Sequence, residues 1–172
     1  MKIKRSFIFI VIFAILGCSS NEDSQPIDNQ SLQTVIYLIR HAEKADSSFN
    51  PNLSTIGLQR SNNWTIILKD VAFDAIYSTN YNRTIQTAQP TATSNAKQIE
   101  LYDSENFSLA SVIANNKGKK VFIVGHSNTI PELINTYLEE TIYPDMLETE
   151  FGNLYKISIV DNVVSHEMTV HN

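Results

Sequence analysis

Cysteine is almost missing from this chain: Cys18 is the only one in 172 residues. That excludes an internal disulfide framework and any metal site built from several thiolates. Glycine and proline are sparse, with five of each, too few for a fibrous or low-complexity protein. No internal repeat replaces them. A bilayer-spanning run is lacking too. The apolar stretch Phe7 to Leu16 covers ten residues, whereas a spanning helix needs about 20. Positive charge is in deficit, the net charge being −5. Without Lys2, Lys4 and Arg5 near the start, 10 basic residues face 18 acidic ones, giving −8. An acidic body argues against nucleic acid or anionic lipid as the main ligand. What is present is a hydrophobic fraction of 42%, enough for one compact core in a chain of this length.

The start of the chain reads as a targeting segment. Lys2, Lys4 and Arg5 precede the apolar run, the order of a secretory signal. The run ends in Ile15-Leu16-Gly17-Cys18, which resembles the lipobox of bacterial lipoproteins. The resemblance implies cleavage before Cys18, acylation of that cysteine, and a lipid-anchored protein of the bacterial cell envelope outside the cytoplasm. Residues 19–31 are polar with little to bury and fit a flexible tether. The expected organisation is therefore a signal peptide at 1–17, lipidated cysteine and tether at 18–31, and one domain at 32–172.

From Thr34 onward strand and helix patterns alternate. Thr34–Ile39, Ala75–Ser78, Gln98–Tyr102 and Val121–Val124 are short β-branched or aromatic runs of the buried-strand kind. Between them, helices are predicted over Leu53–Leu68 with Ser54 as N-cap, over Thr84–Ser94 with Pro90 interrupting, and from Phe107 to a stop at Lys117-Gly118. A further helix is predicted from Ile130 to about Glu139, with Thr129-Ile130-Pro131-Glu132 as a capping box. Leu154–Val160 and Val163–Val170 flank Asp161-Asn162, a hairpin turn. Strands separated by helices predict an α/β fold, a three-layer sandwich on a mostly parallel sheet, with the C-terminal hairpin as antiparallel edge.

In an open parallel sheet, ligands bind beyond the carboxyl ends of the strands. Three predicted strands run into polar residues of one chemical theme. The first leads into Arg40-His41-Ala42-Glu43, the second into Thr79-Asn80-Tyr81-Asn82-Arg83-Thr84, and the fourth into Gly125-His126-Ser127-Asn128-Thr129. Two arginines and two histidines suit an oxyanion pocket, because guanidinium forks match phosphate oxygens and stay charged.

Arg40-His41-Ala42, Leu53-Ser54 with Gly57, Ser78 with Arg83-Thr84, Thr87-Ala88 and Val124-Gly125-His126, in that order, resemble the histidine phosphatase superfamily, the phosphoglycerate-mutase-like fold. The resemblance covers about Thr34 to the C-terminus and matches small members without a large covering insertion. It implies metal-independent hydrolysis of a phosphate ester or phosphoanhydride, with no cofactor. His41 is implied as the nucleophile and His126 as a donor to the phosphoryl oxygens. Arg40 and Arg83 are implied to hold those oxygens. The family's usual glycine after the nucleophile is Ala42 here, a change of consequence only if that backbone needs positive φ. Members commonly carry a general acid after the Arg-Thr helix. Glu100, Asp103 and Glu105 are candidates, and Asp103 is preferred because it follows the predicted strand Gln98–Tyr102 at the pocket end of the sheet. Glu43, beside the nucleophile, is an alternative, and members lacking this acid also occur.

Structural readings accompany each residue. Asp103 also suits an N-cap for the Phe107 helix, Glu132 belongs to the capping box, and His166 and His171 carry no role. A serine hydrolase built on Ser127 lacks the last glycine of G-x-S-x-G, since Thr129 stands there. The H-x-E of His41-Ala42-Glu43 lacks the P-C-x-x-C of zinc deaminases. A mutase is disfavoured by the short chain, which leaves little room for a lid. The runner-up is a lipoprotein that captures a phosphorylated ligand without turnover. Expected partners are a small phosphorylated substrate or phosphoprotein, and a membrane through the anchor. The residues leave oligomeric state open.

Overall fold

The computed structural model describes residues 32–171. The expected signal peptide, Cys18 and the expected tether lie outside them. Ten elements follow in chain order: β1 Thr34–Arg40, α1 Thr55–Ile67, β2 Ala75–Thr79, α2 Asn82–Ser94, β3 Ile99–Tyr102, α3 Leu109–Asn115, β4 Lys120–Gly125, α4 Thr129–Leu138, β5 Asn153–Val160 and β6 Val163–Val170. The six strands form one sheet in the order β3-β2-β4-β1-β5-β6. The first four are mutually parallel, whereas β5 and β6 run antiparallel. This is the expected α/β sandwich with its antiparallel edge.

The central strands β1, β2 and β4 are buried on both faces, and side-chain alternation splits the core. Val121 and Ile123 of β4 join Ile36 and Leu38 of β1 beneath Leu109, Val112, Ile130 and Ile134 of α3 and α4. Phe122 and Val124 face the other way, with Ile39 and Ile76, against Trp64, Ala88 and Ala92 of α1 and α2. At the Asp161-Asn162 turn both residues have positive φ, 51° and 65°. That is the left-handed pair a two-residue hairpin demands and Asn and Asp tolerate.

Several boundaries differ from the sequence expectation for local reasons. Pro90 does not interrupt α2, which continues to Ser94. Thr84, Thr87, Ala88, Thr91 and Ala92 are all buried, and that packing offsets the missing N–H. The Phe107 helix begins only at Leu109, with Ser108 in the N-cap position. Asp103 is therefore not its cap. The Thr129 capping box does not form either. Thr129 is the first helical residue, and its Oγ1 accepts from His126 N at 3.0 Å. Ser54 does cap α1, accepting from Gly57 N at 3.0 Å.

Candidate active site

Strand register brings the site together. Arg40 lies opposite Gly125 across β1 and β4, and Ser78 opposite Val124 across β2 and β4. The carboxyl ends of three neighbouring strands thus deliver Arg40-His41, Thr79 with Arg83, and His126 to one place. The His41 and His126 rings are 5.5 Å apart, edge to face.

His41 is only 4% exposed. Its main-chain N–H donates to Gly125 O at 2.9 Å. Its Nδ1 lies 2.7 Å from Ala42 O. A carbonyl only accepts, so Nδ1 carries the proton and Nε2 keeps its lone pair. Burial pulls the His41 pKa from 6.5 down to about 3, helped by the charges of His126, Arg40 and Arg83 and opposed by the Ala42 carbonyl. The ring is therefore neutral at working pH. Ala42 is buried and has no positive φ, so alanine fits where the family usually has glycine.

Threonines hold the second histidine. Thr84 Oγ1 donates to Thr79 O or Tyr81 O, both at 2.9 Å, and Thr79 Oγ1 donates to Thr84 Oγ1 at 3.0 Å. The Thr79 proton is thus used, and Thr79 Oγ1 accepts from His126 Nε2 at 3.0 Å. Burial, then Arg83 and Arg40, lowers the His126 pKa to about 4. Thr87 binds the two halves: its Oγ1 accepts from Ala42 N at 2.9 Å and donates to Arg83 O at 2.7 Å.

Arg40 is 2% exposed. Its Nη1 donates to Leu147 O at 2.7 Å and Glu150 O at 3.2 Å, and its Nη2 to Glu148 Oε2 at 3.2 Å. The guanidinium lies 4.4 Å over the Phe151 ring, which also flanks His41. Arg83 lies 4.4 Å over the Tyr81 ring. Burial lowers the pKa of both guanidines, although Glu148 opposes this at Arg40. The Nε of Arg40 and the Nε of Arg83 are buried without an acceptor. Two buried, charged, unanswered donors beside an unprotonated imidazole nitrogen are a site for an anion with an electrophilic centre.

The acid candidates separate. Glu43 is held by Arg60, whose Nε reaches its two oxygens at 2.9 and 3.0 Å. Glu100 lies in mid-strand, opposite Tyr77, away from the pocket end. Asp103 and Glu105 line an open cleft with Thr79 and Tyr81. The Asp103 carboxylate accepts from Glu105 N and Asn106 Nδ2, each at 3.1 Å. Among the described residues no hydrogen bond joins Ser127 Oγ to a histidine, and no three His, Cys, Asp or Glu side chains converge as a metal site. Phe151 and Glu148 come from the acidic stretch Thr141–Phe151, which by its composition could border the pocket but carries no readable motif, and Thr79 from the polar residues that follow the second strand. Their roles depend on long-range register and on the loop before β5.

Residues 36–105 match the model of the histidine phosphatase superfamily, branch 1. No curated protein matches the chain in sequence. Among solved structures, a phosphoserine phosphatase mutant from Entamoeba histolytica in complex with phosphoserine superposes with a TM-score of 0.63 at 19% identity, over 77% of this chain and 94% of that one. A phosphoglycerate mutase from Bacillus anthracis gives 0.63 at 17% identity, over 81% and 93%. The protein histidine phosphatase SixA complexed with tungstate gives 0.64 at 14% identity, over 79% and 96%. The family model thus spans the segment that carries Arg40, His41 and Arg83, and the fold of this chain is that of these phosphatase and mutase structures.

Proposed function

We propose that the protein is a metal-independent phosphatase that works through a phosphohistidine on His41. The observation that carries this is the His41 tautomer: Nδ1 is spent on Ala42 O, leaving Nε2 as the free lone pair beside the unanswered Nε donors of Arg40 and Arg83. His41 Nε2 attacks phosphorus, and the bond from phosphorus to the leaving oxygen breaks. The two guanidiniums balance the phosphoryl charge, with His126 beside them. Asp103 protonates the leaving oxygen. Water then attacks the phosphohistidine, its proton passes to Asp103, and phosphate departs from a regenerated neutral His41.

The test is phosphate release from p-nitrophenyl phosphate by the full chain in detergent with EDTA present, compared with His41→Ala. Release that disappears in the variant is expected; equal release from both would overturn the reading. A second reading, capture without turnover, draws on the carboxylates: Glu43 is taken by Arg60 and Asp103 is tied within its own turn. Tight vanadate binding with no hydrolysis of any ester would favour it. The lipobox-like Ile15-Leu16-Gly17-Cys18 supports a further proposal, that Cys18 anchors the domain to a membrane of the cell envelope. Loss of fatty-acid labelling in Cys18→Ala is the expected result, and labelling retained in that variant would refute the anchor.

A further inference from the structure

Lys69, Lys97, Lys117 and Lys119 stand in the segments leading into β2, β3 and β4, with Lys120 opening β4 and Asp70 and Asp74 beside them, at the end away from His41. At the mouth, Arg60 is taken by Glu43 through its Nε and Nη2, whereas Arg40, although its Nη2 meets Glu148, and Arg83 each keep an Nε without a partner for the phosphoryl group. Two guanidiniums match the two charges of a phosphate monoester. Beyond them the wall is acidic and apolar. The cleft of about 560 Å³ that starts at Thr79 and Tyr81 passes Phe49 and Leu101 and reaches Asp103 and Glu105. Phe49 is 87% exposed and Leu101 55%, so bare apolar side chains flank an open channel instead of an enclosed pocket.

Ser104 and Glu105 are shared with a second, more enclosed cavity of about 260 Å³ between α3 and α4. Phe107, Leu133 and Tyr137 give it an apolar body, and Glu105 and Glu132 give it two carboxylates. Neither carboxylate has an ion-pair partner among the described residues. A long aliphatic stem ending in a cation fits that combination, because Lys and Arg lay their methylenes on apolar surface and keep the head on acceptors. A second phosphate in the channel would instead meet unbalanced carboxylates.

Resting on the phosphatase reading, we propose that the substrate is a phosphorylated polypeptide segment with basic flanks. Its phosphoryl group sits on Arg40 and Arg83, its chain lies along the Phe49–Leu101 channel, and a lysine or arginine side chain enters the cavity between α3 and α4. Glu105 and Glu132 are the specificity residues.

The test uses phosphoserine peptides whose flanks are lysine, alanine or glutamate, bound to the full-chain His41→Ala variant by calorimetry and turned over by wild type. Lysine flanks should bind about tenfold tighter than glutamate flanks, from a few exposed ion pairs acting together, and the gap should close to about twofold in 0.5 M salt. Glu132→Gln and Glu105→Gln should each narrow the ratio of lysine- to alanine-flanked affinity. Equal affinity for all three peptides, or an unchanged ratio in both variants, would overturn the proposal. Hydrolysis of p-nitrophenyl phosphate with no preference among peptides would sink this inference and leave the phosphatase intact. Peptide preference in binding without any turnover would do the reverse.

Discussion

Arg40 and Glu148 are joined across 108 positions of chain, Nη2 to Oε2 at 3.2 Å, so the residue beside His41 is held by the loop before β5. That loop is itself fastened. Met146 N donates to Ser127 O at 3.0 Å, and Asn135 Nδ2 donates to Tyr143 O at 2.7 Å. Leu147 O and Glu150 O take Nη1, and with Glu148 they leave Nε as the donor without a partner. The segment therefore aims Arg40.

The parts of this clamp differ in weight. Glu148 is 79% exposed, and exposed ion pairs contribute little. Phe151 packs under both Arg40 and His41, where removal leaves a void and frees two site residues. Glu148→Ala should lower kcat/KM for p-nitrophenyl phosphate by about twofold, an effect that salt removes. Phe151→Ala should lower it by about tenfold or more, equivalent to at least about 1.4 kcal/mol of transition-state stabilisation. Steady-state kinetics on both variants check the order, and equal losses would contradict it.

Acid should weaken the fold through the two histidines. Their folded pKa values, about 3 for His41 and about 4 for His126, lie below the ordinary 6.5. Between pH 6.5 and 4 the unfolded chain therefore binds more protons than the native one, and stability falls as pH falls through that window. His41→Asn removes one such group, so its melting temperature should decline less steeply from pH 6.5 to 4 than that of wild type. The same depression keeps Nε2 of His41 unprotonated. The kcat/KM profile should thus show no acid limb near 6.5 from the nucleophile, only the substrate's own second ionisation near 6. An inflection near 6.5 that persists with a substrate already ionised would contradict a depressed His41.

Thr87 is the bond between the Arg-His and Arg-Thr segments. Thr87→Val keeps shape and removes both contacts, leaving the buried Ala42 N–H without an acceptor. The expected cost is about 1–3 kcal/mol, or roughly 3–10 °C in melting temperature for a domain of this size. Activity should fall as well, since Ala42 O fixes the His41 tautomer. A thermal scan with kinetics at 20 °C separates the two effects.

The parts of the site nearest in sequence to strand ends were legible. Arg40, His41, Arg83 and His126 follow apolar runs directly, so element order and the parallel-sheet rule were enough to gather them. What escaped was set by register and by side-chain competition. Thr129 looked like a cap because its spacing to Glu132 is right, yet the nearer unanswered donor is His126 N. Pro90 reads as an interruption of the Thr84–Ser94 helix because a single sequence does not show that five neighbours are buried. Leu147 to Phe151 bear no periodicity at all, and their meaning arises only when β5 brings them over Arg40. Gly57, by contrast, was marked by the motif, and the reason is visible: a Cβ there would collide with Glu43 O.

The leaving-group side carries the last prediction. Asp103 lines the cleft with Thr79 and Tyr81 and is an exposed carboxylate at the end of β3. A proton donor matters in proportion to how poor the leaving group is, because a phenolate of low pKa departs unaided whereas an alkoxide does not. Asp103→Asn should therefore leave p-nitrophenyl phosphate hydrolysis within about threefold of wild type while lowering kcat on an alkyl phosphate by about 10²-fold or more, the range of general acid catalysis. Kinetics on a series of phenyl and alkyl phosphates would show this as a steeper dependence of rate on leaving-group pKa in the variant. Parallel dependences in the two proteins would instead take the role from Asp103. Glu105→Gln would then be the next variant to measure, because Glu105 shares the same cleft while Glu43 is already held by Arg60.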